Sequence, residues 1–256
     1  RYAPVPANQE RRWAVAATTG ARQRTNIAVM DVLTPQETAK VVAARGTGRK
    51  LAVELIGTFF LVFTVGASVY SGSALAPLAI GASLMVMIYA GGHVSGGHYN
   101  PAVTMAVLVR GRIGLGGAVG YWIAQLVAGL LAALVVRGII TPASVKTLTL
   151  SGHALTAAIV AELLFTFALA YVVLNVATSK DHPDNSFYGL AIGFTVLAGA
   201  VAVGGISGGA FNPAVALGGA AMDLFAWPTF WLYPVAELVA GAAAGLAFRV
   251  LNPNDK

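Results

Sequence analysis

The sequence predicts an all-α membrane protein with six transmembrane helices and two re-entrant half-helices in inverted repeats. Hydrophobic residues make up 57% of the chain and charged residues only 10%, so most helices must face lipid or each other. One sequence motif occurs twice, as GHVSGGHYNPAV from Gly92 and as GGISGGAFNPAV from Gly204. Each copy lies between apolar stretches. A polar turn there is tolerated only where it lines a water-filled cavity or is buried in protein.

Each copy of the motif predicts the start of a short helix, because asparagine is a good N-cap and proline is favoured in the first turn. The two starts consist of Asn100, Pro101, Ala102, Asn212, Pro213 and Ala214. They predict half-helices over 101–110 and 213–222, each about 15 Å long at about 1.5 Å per residue. That length is about half of a ~30 Å hydrocarbon core. The positive helix ends and the two asparagine amides would therefore meet near the bilayer midplane and line a polar pore.

The other apolar stretches predict six spans, over 51–71, 77–93, 115–137, 153–178, 187–204 and 227–249. A second repeat, AVELIGTFFLVF and VAELLFTFALAY, places Glu54 and Glu162 early in the first helix of each half. Three spans per half, an odd number, make the halves inverted, so the half-helices enter from opposite faces. We therefore expect a channel domain over 49–250, with halves of about 50–138 and 153–250.

The net charge of +6 originates in the N-terminal tail. Residues 1–50 hold nine Lys/Arg and three acids, and the rest of the chain holds seven of each. The basic balance therefore gives no indication of nucleic-acid binding. We expect residues 1–48 to form a cytoplasmic tail that is mostly disordered over 1–29, and the sequence does not explain Trp13. A capping box at Thr34-Pro35-Gln36-Glu37 predicts a short helix near 35–45 that Gly46 would end.

The distribution of Lys and Arg predicts that both termini are cytoplasmic. With the N-terminus inside, the outer loops hold only Arg137 and Lys146. The inner side then collects Lys50, Arg110, Arg112, Lys180, Arg249 and Lys256. This asymmetry follows the positive-inside rule for a multi-pass membrane protein.

The paired motifs SGGHYNPAVT and SGGAFNPAV resemble those of the aquaporins, the major intrinsic proteins, and the resemblance covers roughly Lys50 to Arg249. It implies an aquaporin-like fold and a passive channel for water and small neutral solutes that excludes ions and protons. It also implies a homotetramer in the lipid bilayer with one pore in each subunit and no cofactor.

The resemblance also implies roles for particular residues. Asn100 and Asn212 would donate hydrogen bonds to passing water, and Glu54 and Glu162 would accept the backbone amides of the pore loops. The expected ladder of pore carbonyls belongs to Gly96, Gly97, His98, Gly208, Gly209 and Ala210. The His98 side chain is either a packed loop residue or a pore-lining, pH-sensing one. Glu237 in the last span is left without a role, and a subunit interface or the bilayer edge is a surrounding that it could face.

The chain departs from the family pattern at the outer constriction. Most members place an arginine directly after the second Asn-Pro-Ala, where this chain has Val215. Aligning the flanking residues puts Ile80, Ala200, Gly209 and Val215 at the four constriction positions, a set with no donor side chain and no aromatic ring. Val215 with SGGAFNPAVA around it resembles some plant tonoplast-type channels, which pass ammonia, urea or hydrogen peroxide besides water. Glycerol is a further candidate solute, although the aspartate typical of glycerol facilitators is absent after the second motif.

Two other functions stay open at this point. One is a proton-coupled secondary transporter with Glu54 and Glu162 in the proton path, although two fixed capping motifs argue against alternating access. The other is a structural membrane protein with a poorly conducting pore. An enzyme is not predicted, because the chain has no cysteine and no nucleotide-binding loop. Its histidines, His93, His98, His153 and His182, have no metal-binding spacing, so no metal is predicted.

Overall fold

The computed structural model describes the backbone of residues 35–140 and 145–255, and the side chains of residues 46–140 and 145–255. The chain divides into two compact units, residues 1–48 and residues 49–256. In the first unit the described residues are helical. The segment 1–29, for which disorder was expected, lies outside the described residues, and so does Trp13. The second unit contains both copies of the repeated motif.

Eight α-helices make up most of the described residues. They are α1 Pro35–Tyr70, α2 Ala76–Ser95, α3 Pro101–Arg110, α4 Leu115–Val135, α5 Gly152–Thr178, α6 Tyr188–Ser207, α7 Pro213–Ala221 and α8 Leu232–Leu251. A π-helical turn, Val136–Ile140, extends α4, and a 3-10 turn, Trp227–Thr229, precedes α8.

Within the same residues, six stretches are long and apolar enough to span a bilayer. They are Gly46–Tyr70, Ala76–Ser95, Leu115–Ile140, Gly152–Thr178, Tyr188–Ser207 and Trp227–Leu251. The two short helices α3 and α7 begin at the prolines of the repeated motif, and α7 ends one residue before the predicted 222. The predicted all-α fold of six spans and two half-helices is confirmed.

The predicted end of the first helix at Gly46 is wrong. The helix α1 is continuous through Gly46 and Gly48 and ends only at Tyr70. A glycine ends a helix when it adopts a left-handed conformation with positive φ, and neither of these two glycines does so. A glycine within a helix costs about 1 kcal/mol relative to alanine without interrupting the hydrogen bonds. The helix that begins at Pro35 is therefore longer than expected.

Two glycines at equivalent positions allow spans to approach the half-helices closely. A Cβ atom on Gly129 of α4 would lie 2.6 Å from the carbonyl oxygen of Ala214 in α7. A Cβ atom on Gly241 of α8 would collide with the carbonyl oxygen of Ala102 in α3. The interval between the two glycines equals the interval between the two capping asparagines. Each half-helix is therefore packed against a span through a contact that only glycine permits.

The C-terminal end of α3 is fixed by a buried ion pair. The side chain of Arg110 is 1% exposed, and its Nη2 lies 2.8 Å from Oδ1 of Asp255. The same guanidinium donates to the carbonyl oxygen of Thr178 and lies 4.2 Å from the ring centroid of Phe248. Asp255 also accepts the backbone N–H of Lys180 at 2.8 Å. These contacts join the end of the half-helix, the end of α5 and the segment after α8.

The pKa of Asp255 is lowered to about 2. Burial alone raises the pKa, but the backbone N–H of Lys180 and the guanidinium of Arg110 favour the carboxylate and outweigh burial. The folded-state pKa lies below the ordinary aspartate pKa of about 3.9. The ion pair therefore contributes its full stability above about pH 4 and loses it as the pH falls towards about 2.

Replacing Asp255 by alanine is expected to lower the unfolding temperature at pH 7 by on the order of 10 °C, because a buried guanidinium loses its counter-ion. Unfolding in detergent, followed from pH 7 to pH 2, should show a weaker pH dependence below about pH 4 in Asp255→Ala than in the wild type. The control is Arg112→Ala. Arg112 contacts the same carboxylate at 3.1 Å, but its side chain is 38% exposed, so a change within about 2 °C is expected. Equal unfolding temperatures for the wild type and Asp255→Ala would contradict this account.

Candidate functional site: two loops that meet at a narrow cavity

The loop before each half-helix has an unusual backbone. In the first loop φ is 94° at Gly96, 62° at Gly97 and 48° at Tyr99. The second loop repeats these values, with 91° at Gly208, 66° at Gly209 and 49° at Phe211. Glycine adopts a positive φ without cost, but an aromatic residue does not. Other contacts must therefore hold the two aromatic residues in place.

The carboxylate of Glu54 in α1 holds the first loop. It is fully buried, and its Oε1 accepts the backbone N–H of His98 at 3.0 Å and the hydroxyl of Ser95 at 2.7 Å. Its Oε2 accepts the backbone N–H of Tyr99 at 2.7 Å and the Nε2 amide of Gln125 at 2.9 Å. Four donors thus satisfy one carboxylate, which makes its burial tolerable.

The carboxylate of Glu162 in α5 holds the second loop in the same way. It is fully buried, and its Oε1 accepts the backbone N–H of Ala210 at 3.0 Å and the hydroxyl of Ser207 at 2.6 Å. Its Oε2 accepts the backbone N–H of Phe211 at 2.7 Å. Both glutamates therefore bind the N–H of the strained aromatic residue and that of the residue before it.

The two asparagines cap their half-helices and also tie the two loops together. The Oδ1 atoms of Asn100 and Asn212 accept the backbone N–H two residues later, at 2.8 and 2.9 Å. The Nδ2 of Asn100 donates to the carbonyl oxygen of Phe211 at 2.8 Å, and the Nδ2 of Asn212 donates to that of Tyr99 at 2.9 Å. Each amide has two N–H groups, and this reciprocal bond uses one of them. The second N–H is left for a molecule in the cavity beside it.

A narrow cavity lies where the loops meet. Its volume is about 20 Å³, against about 440 and 260 Å³ for two wider cavities, and about 10–15 Å³ suffices for one water. His98 and Val173 line both the narrow cavity and the largest one, and Val65 lines both the narrow cavity and the third. The narrow cavity therefore lies between the two wide ones, beside both asparagines.

The walls of the narrow cavity are mainly aliphatic. Its polar lining comes from the two asparagines and from residues of the two loops. The aliphatic lining consists of Leu61, Val65, Ile80, Leu84, Val103, Leu169, Val173, Ile192, Val196 and Val215. A molecule passing through has polar partners along the loops and few elsewhere, an arrangement that suits single neutral molecules.

Three of the four proposed constriction residues line this cavity. They are Ile80, Gly209 and Val215, and the valine is 4% exposed. Ala200 lines neither the narrow cavity nor the wide one that includes Gly208. Its Cα would lie 3.5 Å from a Cβ atom on Gly209, so Ala200 packs beside the glycine.

The six residues expected to supply pore carbonyls are distributed along the three cavities. Gly96 lines the largest cavity, and Gly208 lines the wide cavity on the other side of the narrow one. The narrow cavity between them is lined by Gly97, His98, Gly209 and Ala210. Of these residues, His98 also lines the largest cavity, so the first loop contributes two of them to a wide cavity and the second loop contributes one.

The His98 side chain is both packed and adjacent to the pore. It is 8% exposed, its Nδ1 lies 3.0 Å from the hydroxyl oxygen of Thr104, and its ring packs edge-on against that of Tyr121 at 5.0 Å. It nevertheless lines the narrow cavity and the largest one. Among the residues that the structure describes, no group of three or more His, Cys, Asp or Glu side chains could hold a metal ion.

Glu237 does not lie where it was expected. Its side chain is fully buried, and Oε1 accepts the backbone N–H of Asn212 at 2.9 Å. An outward-facing position in α8 is therefore wrong, because α8 turns this face towards the second loop. A carboxyl group so placed is far too costly to expose to lipid and needs polar partners.

Sequence reasoning missed a supporting set of side chains beneath the loops. The Tyr121 and Tyr233 hydroxyls donate to the carbonyl oxygens of Ser95 and Ser207, respectively. The interval between the two tyrosines is the same as that between the two capping asparagines. The recurrence of a tyrosine at this interval is the sequence pattern that could have predicted these supporting residues.

The six spans, the two half-helices and the narrow cavity between two wider ones define a membrane channel. The model of the family described as Major intrinsic protein matches residues 68–248. The chain belongs to the major intrinsic protein family. It is a multi-pass integral membrane protein and a passive channel for water and small solutes.

Three relatives illustrate the range of the family. Glycerol uptake facilitator protein-like 6 from Lactiplantibacillus plantarum is 37% identical over 220 residues, which are 81% of this chain and all of the relative. Aquaporin TIP1-1 from Arabidopsis thaliana is 39% identical over 194 residues, 74% of this chain and 76% of the relative. The X-ray structure of the aquaglyceroporin from Plasmodium falciparum matches with a TM-score of 0.69 and 23% identity, over 81% of this chain and 98% of that one. This last likeness shows the fold.

Proposed function

We propose that the channel passes water together with ammonia, hydrogen peroxide, urea and glycerol. The observation that carries this proposal is the lining of the narrow cavity, where the expected constriction residues Val215, Gly209 and Ile80 occur among aliphatic side chains. A ring without a charged or bulky side chain lowers the steric barrier to solutes larger than water. It also lowers the cost for solutes that carry few hydrogen bonds.

The names of two relatives favour this mixed range. One is a glycerol uptake facilitator-like protein and the other a plant aquaporin, and their identities to this chain are similar. Neither name alone decides between glycerol and water. A channel that admits both classes of solute agrees with both.

We infer that ions and protons are excluded at the centre. Both half-helices begin at the asparagines that line the narrow cavity, so their positive ends repel cations there. A single file of water that accepts from both asparagines cannot keep an unbroken chain of proton donors. Neither Glu54 nor Glu162 is part of the lining of that cavity. Their oxygens accept loop donors, which favours a supporting role over a proton path.

We also propose that the termini are cytoplasmic and that four subunits assemble with one pore each. The orientation is supported by the excess of Lys and Arg on the predicted inner side, and the tetramer by the family and by the closed symmetry usual for oligomers. Cross-linking in mild detergent should give a four-subunit band, and finding only monomers would count against the tetramer.

The test of the solute range is the volume change of reconstituted vesicles after an osmotic step. Water, urea and glycerol should each cross faster than in empty vesicles. Hydrogen peroxide, detected by a reporter inside the vesicles, should also enter faster. A pH dye and a cation-sensitive dye inside the same vesicles should not respond. Water flux without urea, glycerol or peroxide flux would overturn the proposed range, and a proton current coupled to solute uptake would favour the transporter.

A further inference from the structure

The carboxyl group of Glu237 interrupts the symmetry of the two loop supports. Beneath the first loop, Glu54 receives four donors, the fourth being the side-chain amide of Gln125. Beneath the second loop, Glu162 receives three N–H or O–H donors among the described residues, from Ser207 and from the backbone of Ala210 and Phe211. At the interval that separates the two asparagines, the residue equivalent to Gln125 in the second half is Glu237. A carboxyl group therefore replaces the missing amide donor.

The two carboxyl groups of the second half are both fully buried, and each is close enough to the other to affect its ionisation. Glu237 stands at the position equivalent to Gln125, whose Nε2 donates to Oε2 of Glu54 at 2.9 Å. The Oε2 of Glu237 has no hydrogen-bond partner among the described residues. Two ionised carboxylates cannot hydrogen-bond each other, because each can only accept. A proton between them supplies the donor and removes the repulsion of two buried like charges.

The two halves also differ in the second contact that Gln125 and Glu237 make. In the first half, Gln125 also contacts the hydroxyl of Thr104 at 3.1 Å. The equivalent of Thr104 in the second half, at the same interval, is Ala216, which has no hydroxyl. Oε1 of Glu237 instead accepts the backbone N–H of Asn212 at 2.9 Å. That residue is the cap of the second half-helix and lines the narrow cavity.

We propose that Glu237 is a positioning residue of the pore that shares one proton with Glu162. Its protonated oxygen donates to Glu162 as the Gln125 side-chain amide donates to Glu54. Its other oxygen accepts the backbone N–H of Asn212. The second half then carries one negative charge beneath its loop, as the first half does. The proton stays in the pair, and no proton passes along the pore. The inference rests on the channel function only for the flux measurement described below.

The test compares Glu237→Gln and Glu237→Leu in reconstituted vesicles. Glutamine retains one acceptor for Asn212 and one donor for Glu162, so we expect water flux per folded channel close to that of the wild type. Leucine has neither the acceptor nor the donor, so the backbone N–H of Asn212 and the carboxylate of Glu162 lose these partners. We therefore expect flux to fall severalfold. The control is Val235→Leu, on the same helix at a position that is 54% exposed, which should match the wild type.

An infrared spectrum provides a readout that does not need flux. The spectrum of the wild type minus that of Glu237→Gln should show the C=O stretch of a protonated, buried carboxyl group, which ionised carboxylates lack. If the difference lacks this band, Glu237 and Glu162 are both ionised and the shared proton is wrong. If Glu237→Leu folds and conducts like the wild type, Glu237 does not position the pore. Should the leucine variant fail to assemble, the band difference between the wild type and Glu237→Gln still decides about the proton.

Discussion

Replacing Glu162 by leucine should prevent the channel from reaching a folded, conducting state. The change leaves the backbone N–H groups of Ala210 and Phe211 without their acceptor in the interior of a membrane protein. Each unpaired group costs about 1–3 kcal/mol, and Phe211 also loses the contact that holds its positive φ. The two unpaired groups together cost about 2–6 kcal/mol, which is a large part of the stability of a typical protein, about 5–15 kcal/mol. Glu54→Leu should have the same effect through the first loop.

The measurement is the yield of folded protein by size-exclusion chromatography, followed by water flux from the fraction that folds. Two matched controls lie one turn further along the same helices. Thr58 and Thr166 are fully buried, and their hydroxyl oxygens have no hydrogen-bond partner among the described residues. Thr58→Val and Thr166→Val keep the shape and should leave yield and flux close to those of the wild type. Normal yield and flux in Glu162→Leu would contradict the supporting role of the glutamates.

The repeat made the fold predictable from the sequence. A polar, glycine-rich motif within the membrane can adopt few structures, because its backbone needs hydrogen-bond partners that lipid does not offer. The caps Asn100 and Asn212 and the prolines after them predicted the starts of α3 and α7 at the right residues. The end of a helix is harder to predict, as Gly46 shows, because glycine is compatible with both a helix interior and a helix end.

The supports of the site were less predictable, because they depend on which face of a span turns inward. Glu237 in α8 could not be placed without knowing that face. The reciprocal bonds of Asn100 and Asn212 to the opposite loop were also missed, since each joins residues from different halves of the chain. Spacing within a motif predicts local caps, but it does not predict how two motifs pack against each other.

Replacing Val215 by arginine should convert the channel from broad to narrow selectivity. Val215 is 4% exposed and lines the narrow cavity together with Ile80 and Gly209. An arginine side chain would fill space that solutes use and would add a fixed positive charge with five N–H donors. Those donors serve water, which hydrogen-bonds in a single file, while the reduced width excludes larger molecules. Urea and hydrogen peroxide flux should therefore fall much more than water flux.

The control for bulk alone is Val215→Leu, which narrows the ring without adding donors or charge. We expect leucine to lower the water and solute fluxes together, and arginine to lower the ratio of urea to water flux. Adding Ala200→His to Val215→Arg should lower that ratio further only if the Ala200 side chain reaches the pore, because Ala200 packs beside Gly209 and lines neither adjacent cavity. Vesicle swelling with water, urea and peroxide measures all of these ratios. Wild-type channels that already exclude urea and peroxide would show that an aliphatic constriction is not sufficient for broad selectivity.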